Sequence, residues 1–292
     1  MKISELFNKN NTVLSFELFP PKRDTTLKNI DETLEVLSDL NPDYISVTYG
    51  AGGSIKNNKT TELSSLIKNK YEIETVSHLT CIDSTKEEIQ FYLNGLRDNN
   101  IENILALRGD IPATGHVNGE LKHANELIEF INSSNENEFN IAAACYPEGH
   151  IENKSLSLEI ESMKRKEAAG ASCFISQLFF NNESFYYFIE QVRRAGICAP
   201  IEAGIMPVTN KNQIERMISL SGASLPTKFK KIIDRFEHNP EALRDAGIAY
   251  AVEQIVDLVS TDVDGIHLYV MNNSYIANRI CDGIKSIRSC CM

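Results

Sequence analysis

Short apolar runs alternate with longer amphipathic ones along almost the whole chain, and this rhythm restricts the fold more than any other feature. Apolar runs at 12–19, 43–49, 72–80, 101–108, 139–146, 172–179, 199–205 and 265–270 have strand length. Periodic segments at 25–40, 59–70, 84–99, 124–134, 154–169, 183–195, 211–220 and 274–287 read as the helices that follow them. Local punctuation agrees. Pro20 and Pro21 end the first strand, Ser84 with Glu87 three residues on reads as a capping box, and Gly170 and Gly196 close two helices. Two further helical segments, 226–236 and 240–260, interrupt the rhythm before the last strand. Eight strand–helix units predict an α/β chain folded as one parallel (β/α)8 barrel over residues 1–292. No linker, repeat or low-complexity stretch divides it.

Composition narrows the partners. The 292 residues suit one barrel, and 42% hydrophobic content can fill its core. Lys and Arg total 29 against 40 Asp and Glu, a net charge of −11, which argues against binding nucleic acid or an anionic membrane. No stretch approaches the roughly 20 apolar residues of a membrane helix. The opening segment turns polar too soon for a signal peptide, so a soluble cytoplasmic protein is expected. Cys81, Cys145, Cys173, Cys198, Cys281, Cys290 and Cys291 are odd in number and form no CxxC, the pattern of free thiols in a reducing compartment. Only Cys290-Cys291 hints at a metal, and without further ligand spacing no metal is expected.

In a parallel barrel the chemistry stands where strands end at their C-terminal side. On the first strand, alternation puts Ser15, Glu17 and Phe19 on the face opposite Phe16 and Leu18. If that face points inward, Glu17 is a carboxylate among apolar groups, where burial favours a general acid. An ion-paired structural carboxylate fits the pattern equally well. The second strand ends at Thr48 and Tyr49, followed by Gly50, Ala51, Gly52 and Gly53, a loop able to pass close to a ligand. The third carries His78, which as a lone strand histidine is more often a hydrogen-bonded core residue than a ligand contact. The fourth ends Arg108-Gly109-Asp110: a positive fork, a point of close backbone approach and an acceptor, or else a salt-bridged turn. After the fifth strand (Tyr146 to His150), Glu159, Ser162 and Lys166 share one helix side, and Arg165 adds charge suited to a phosphate or to a solvated face. Gln177, in an apolar run, needs hydrogen-bond partners that a heterocycle could supply. No Walker loop, GxGxxG turn or His/Glu zinc motif occurs.

These stretches together resemble the methylenetetrahydrofolate reductase family. The matching segments are SFELFPPK (15–22), DYISVTYGAGG (43–53), SHLTCID (77–83), ILALRGDIP (104–112), AACYPEGH (143–150), MKRKEAAGA (163–171), SQLFF (176–180) and GIMPVTN (204–210). Each is modest evidence; their order along the chain is specific. The length resembles bacterial-type members, which consist of the catalytic barrel only.

The resemblance implies bound FAD, NADH or NADPH as hydride donor, and reduction of 5,10-methylenetetrahydrofolate to 5-methyltetrahydrofolate by ping-pong kinetics, feeding methionine synthesis. It carries FAD contacts onto Thr48, Tyr49, Ala51, His78, Arg108, Gly109, Asp110, His123, Ala124, Tyr146, His150, Glu159, Ser162, Arg165 and Lys166, the last two near the adenine nucleotide and pyrophosphate. Glu17 becomes the acid that protonates N10 and opens the folate ring. Asp110 binds the pterin and tunes the flavin, Gln177 bonds the pterin, and Thr48, Gln213 and Met217 contact substrate. His123, Glu159, Met217 and Asn273 depart from the residues usual there, which bears on local contacts and donor preference. Bacterial members are commonly homotetramers, so a homo-oligomer is expected. Two rival readings are a zinc-thiolate methyltransferase barrel, resting on Cys290-Cys291, and a non-catalytic partner in a one-carbon complex.

Overall fold

A computed structural model describes residues 1–8, 12–21, 28–49, 59–111 and 117–290. After a 3₁₀ helix, Ile3–Asn8, the order is β1 (Val13–Leu18), α1 (Lys28–Asp39), β2 (Tyr44–Val47), α2 (Lys59–Lys70), β3 (Glu74–Thr80), α3 (Lys86–Asp98), β4 (Asn103–Leu107), α4 (Ala124–Ser134), β5 (Asn140–Cys145) and α5 (Leu156–Ala169). It continues with β6 (Cys173–Ser176), α6 (Asn182–Arg194), β7 (Ile201–Ile205), α7 (Lys211–Ser221), α8 (Thr227–Phe236), α9 (Pro240–Val259), β8 (Gly265–Leu268) and α10 (Ser274–Cys290). Each strand pairs in parallel with the next, and β8 closes on β1, so the expected (β/α)8 barrel forms.

Closure follows from where the side chains go. Outward residues of the strands, such as Phe16, Leu18, Ile45, Val47 and Ile104, pack under the helix layer in one continuous core with Leu34, Leu63, Ile89 and Ile128. Removing this apolar surface from water is the main stabilising term. Inward residues form a second cluster: Val13, Tyr44, Val76, Leu105, Ala142, Cys173 and Ile175, plugged from below by Ile3 and Leu6 of the 3₁₀ helix. Asn103 and Asn140 tie that plug down, their side-chain oxygens accepting from Ile3 N at 2.9 Å and Ser4 N at 3.1 Å. A third cluster joins Phe180, Met206, Val208 and Ile214 to Phe229, Ile233 and Leu243, which gives the two extra helices their packing partner.

Several boundaries differ from the sequence reading, each for a local reason. Glu72 has φ +57°, outside the extended region, so β3 starts at Glu74 rather than 72. Lys154 has φ +45°, and α5 is capped by Ser155 instead. The capping box of α3 belongs to Thr85 and Glu88, one residue beyond Ser84 and Glu87. The 3₁₀ helix had no counterpart in the sequence reading. Gly170, at φ +113°, does end α5 as expected. Cys81, Cys145 and Cys173 are buried free thiols, Cys281 is half-buried and Cys198 exposed. Cys291 and the Cys290 side chain lie outside the described residues.

Gly247 sets how closely α9 approaches the barrel. A Cβ there would stand 1.7 Å from the Val208 carbonyl oxygen. Gly247→Ala is therefore expected to destabilise the fold by about 1–3 kcal/mol, lowering Tm by roughly 2–4 °C per kcal/mol. Calorimetry of the variant checks this, and an unchanged Tm would mean that α9 moves away without cost.

Candidate active site

β1 brings Glu17 to the C-terminal end of the barrel, 8% exposed. Its surroundings are not those expected from its sequence neighbours. Phe16 and Leu18 pack outward, and Phe19 is 38% exposed. The groups that meet Glu17 are two imidazoles. His78 Nε2 from β3 and His267 Nε2 from β8 each stand 3.6 Å from Glu17 Oε2. Both nitrogens are buried without a hydrogen-bond partner. Burial holds His78 neutral, its pKa falling to about 4 although Glu17 pulls it upward and His267 adds to the fall.

Below Glu17 the barrel interior continues as a polar chain. Ser15 Oγ lies 2.7 Å from His267 Nδ1 and donates to Glu202 Oε2 at 2.7 Å. Tyr44 donates its hydroxyl to the other Glu202 oxygen. Ser15, Tyr44, Glu202 and His267 are fully buried. Burial pushes the Glu202 carboxyl above the usual range, opposed by His267, Tyr44 and Ser15. Above, Tyr269 crosses β7 and donates to Ser176 O at 2.8 Å. Gly204 leaves room for it, since a Cβ there would stand 2.9 Å from the Tyr269 ring. The sequence reading missed Glu202, His267, Tyr44 and Tyr269. Their signal was the same as that of Glu17: polar or aromatic residues at alternate, inward positions of apolar strands.

Around this centre the strand ends form a wall. Tyr49 follows β2, its hydroxyl buried without a partner and its ring edge-on to Tyr92 at 5.6 Å. Beside it, Thr48 donates its N–H to Leu18 O at 2.9 Å. Arg108 forms a bidentate pair with Glu152, at 2.7 and 2.9 Å, so its turn is salt-bridged to the next loop and not to Asp110. Gly109 follows at φ +88°. Asp110 is exposed on the rim, near enough for its charge to act on Arg108, Tyr146 and His150. Tyr146 and His150 stack edge-to-face at 4.7 Å. Burial chiefly raises the Tyr146 phenol and lowers the His150 imidazole.

Positive charge lies behind this wall. Lys166 is buried, donates to Ala144 O at 2.7 Å and sits 5.9 Å from the Tyr146 ring centroid. Glu159 Oε1 is 3.9 Å from its ammonium and has no hydrogen bond. Burial raises the Glu159 carboxyl, and Lys166 opposes this. Ser162 is half-buried on the same helix. Arg165 is exposed and lines a groove of about 520 Å³ on the outer face between α4 and α5, with Asn125, Glu129 and Asn132. The structure thus separates the two basic residues that were read together. His123 is exposed before α4 and makes no side-chain cap, and Ala124 opens that helix.

Other expected contacts find protein partners. Gln177 Oε1 accepts from Leu178 N at 2.8 Å. Gln213 Oε1 accepts from Thr209 N and Oγ1 at 3.2 and 3.0 Å, and Met217 packs against the cluster around Phe180. Asn273 accepts from Ile276 N at 3.2 Å at the start of α10. Ala51 lies outside the described residues. Among the described residues no group of three or more His, Cys, Asp or Glu could hold a metal, and no helix is long and apolar enough to cross a membrane.

Comparison with known proteins adds an independent line. A Clostridium thermocellum protein, described as uncharacterised and binding two copies of 5-methyl-5,6,7,8-tetrahydrofolic acid, superposes with a TM-score of 0.69 at 14% identity, covering 99% of this chain and 100% of that one. At that identity the likeness shows the fold alone. The 5,10-methylenetetrahydrofolate reductase of Escherichia coli is 32% identical over 268 residues, 92% of this chain and 89% of that protein. The Buchnera aphidicola reductase of the same name is 35% identical over 269 residues, covering 92% and 90%. Methylenetetrahydrofolate reductase (NADH) 1 of Arabidopsis thaliana is 33% identical over 284 residues, 93% of this chain. This chain spans about half the length of such plant relatives, 48% in that case. The family model described as methylenetetrahydrofolate reductase matches residues 2–285, and the chain belongs to that family.

Proposed function

We propose that this protein reduces 5,10-methylenetetrahydrofolate to 5-methyltetrahydrofolate, with FAD as cofactor, NADH or NADPH as donor and ping-pong kinetics. The observation that carries this reading is Glu17: a nearly buried carboxyl at the open end of a family barrel, flanked by two imidazole nitrogens without partners. The wall fits a flavin nucleotide. Buried polar atoms lacking partners, Tyr49 Oη, His78 Nε2 and Glu159 Oε1, belong to three residues of the expected FAD set. The chemistry that a bound FAD supplies is hydride transfer from nicotinamide to folate. The methyltetrahydrofolate bound by the Clostridium thermocellum barrel supports a folate site in this architecture.

The protein's own residues then have distinct work. Glu17 delivers a proton to N10 of the folate, opening its five-membered ring to an iminium at N5 that accepts hydride. Asp110 places negative charge at the rim for the pterin. Gln177, which spends its oxygen on Leu178 N, retains its amide N–H groups for the substrate. Lys166 offers a buried positive charge to the cofactor, and Arg108 can do so by exchanging Glu152 for phosphate or ring oxygens.

Glu17→Gln should still bind FAD and be bleached by NADH. Its reoxidation by methylenetetrahydrofolate should fall by about 10²–10⁴-fold, the worth of a general acid. Stopped-flow absorbance separates the two half-reactions, and normal folate turnover would refute the assignment. Lys166→Met should weaken FAD by about 10–100-fold, in keeping with a lost charge-assisted hydrogen bond. Flavin fluorescence titration of the apoprotein reads this directly, and unaltered affinity would place the nucleotide elsewhere.

A further inference from the structure

The proposed reaction assigns no role to four fully buried groups, Ser15, Tyr44, Glu202 and His267. Among the described residues they form a hydrogen-bonded line from deep in the barrel to His267, whose Nε2 stands 3.6 Å from Glu17. Resting on the reading of Glu17 as the acid, we infer that Glu202, Ser15 and His267 are a buried proton relay that stores and returns the proton Glu17 donates.

Ser15 has one hydroxyl hydrogen but stands 2.7 Å from both Glu202 Oε2 and His267 Nδ1. Suppose it donates to a Glu202 carboxylate. The contact with Nδ1 then requires the imidazole hydrogen to be on Nδ1, and Nε2 faces Glu17 as a bare acceptor for a protonated carboxyl. In the other arrangement Glu202 holds the proton and donates it to Ser15, Ser15 donates to Nδ1, and Nε2–H points at a Glu17 carboxylate. The two arrangements contain the same atoms and the same number of protons.

One concerted shift connects them. The Glu202 O–H bond breaks as a new Ser15 O–H forms. The original Ser15 O–H breaks as His267 Nδ1–H forms. His267 Nε2–H breaks as Glu17 O–H forms. Nothing is oxidised or reduced, and one proton moves from the interior to the mouth. Tyr44, donating to Glu202 Oε1, holds that carboxyl in place in both arrangements. The last link, 3.6 Å, exceeds hydrogen-bond length, and such catalytic contacts commonly tighten when substrate binds.

The polar surroundings favour this route over others. Glu17 meets His78 from β3 and His267 from β8, and its charge reaches Tyr269 beyond β8. Glu202 meets Ser15 and Tyr44, with His267, Cys173 and Asp43 near enough to act through charge. His78 stands as close to the same Glu17 oxygen, but among the described residues no hydrogen bond joins its ring to a further group, whereas His267 Nδ1 meets Ser15. Among the described residues only the His267 branch leads to a second carboxyl. His267 is therefore the positioning residue, selecting which protonation state Glu17 presents.

Ser15→Ala cuts the chain while hardly changing volume. In the FAD-loaded protein, its reoxidation by methylenetetrahydrofolate should slow by about 10–100-fold, the loss typical of an orienting partner of a site histidine. Bleaching by NADH should fall far less, and both the pH profile and the solvent deuterium effect of reoxidation should change. Ser15→Thr, which keeps the hydroxyl, should recover most of the rate. Wild-type reoxidation with an unchanged pH profile would overturn the relay, as would equal slowing of both half-reactions.

If Ser15→Ala does not fold, Glu202→Gln serves in its place, because an amide cannot release a proton to Ser15. The same selective loss is expected, and wild-type behaviour overturns the proposal. Long-range ¹⁵N–¹H spectra of the flavin-free protein provide a second reading. The His267 ring nitrogens, assigned from His267→Gln, should shift in Glu202→Gln, and unmoved signals would count against coupling. Glu17→Gln in the same series separates the two ideas. A fully active Glu17→Gln removes the acid itself, whereas an inactive one beside wild-type Ser15→Ala and Glu202→Gln removes only the relay.

Discussion

Glu202 is buried on β7, and a carboxyl group there must find its hydrogen bonds inside the barrel. It does so through Tyr44 on β2 and Ser15 on β1, strands that lie beside each other and come round to β7 through β8. These bonds join residues 158 and 187 positions apart in sequence. They exist only once the sheet has closed. Closing the barrel and satisfying this polar layer are one event, and the geometry around Glu17 is inherited from it through Ser15 and His267. An apolar layer in its place could pack as densely, but would leave the His267 ring without a fixed orientation.

The periodic features of this fold were legible because they repeat. Strands whose two faces are both covered read as unbroken apolar runs, and β1, β2, β6, β7 and β8 are buried at every position. Helix ends were less visible, because a one-residue choice between Ser84 and Thr85 depends on backbone angles rather than residue type. The 3₁₀ helix escaped because its anchors, Asn103 and Asn140, stand on β4 and β5.

The site divides the same way. Glu17 drew attention through its local motif, yet the imidazoles that surround it come from β3 and β8 and could not be read from Phe16 or Leu18. The partner of Arg108 is Glu152, 44 residues on, where the local turn pointed to Asp110. Arg165 and Lys166 are adjacent in sequence, but a helix turns about 100° per residue. One reaches the Tyr146 ring, and the other faces the outer groove. Gln177 needs hydrogen-bond partners that a heterocycle could supply, and its oxygen finds one in the next backbone N–H. Adjacency pointed to candidate residues; only closure showed which of them meet.

The plug made by Ile3 and Leu6 has a consequence for traffic. With its lower end filled by apolar side chains, the barrel gives no passage along its axis among the described residues, so Glu17 is approached from the strand-tip side. The face at which a ligand meets Glu17 is then also the face from which it leaves.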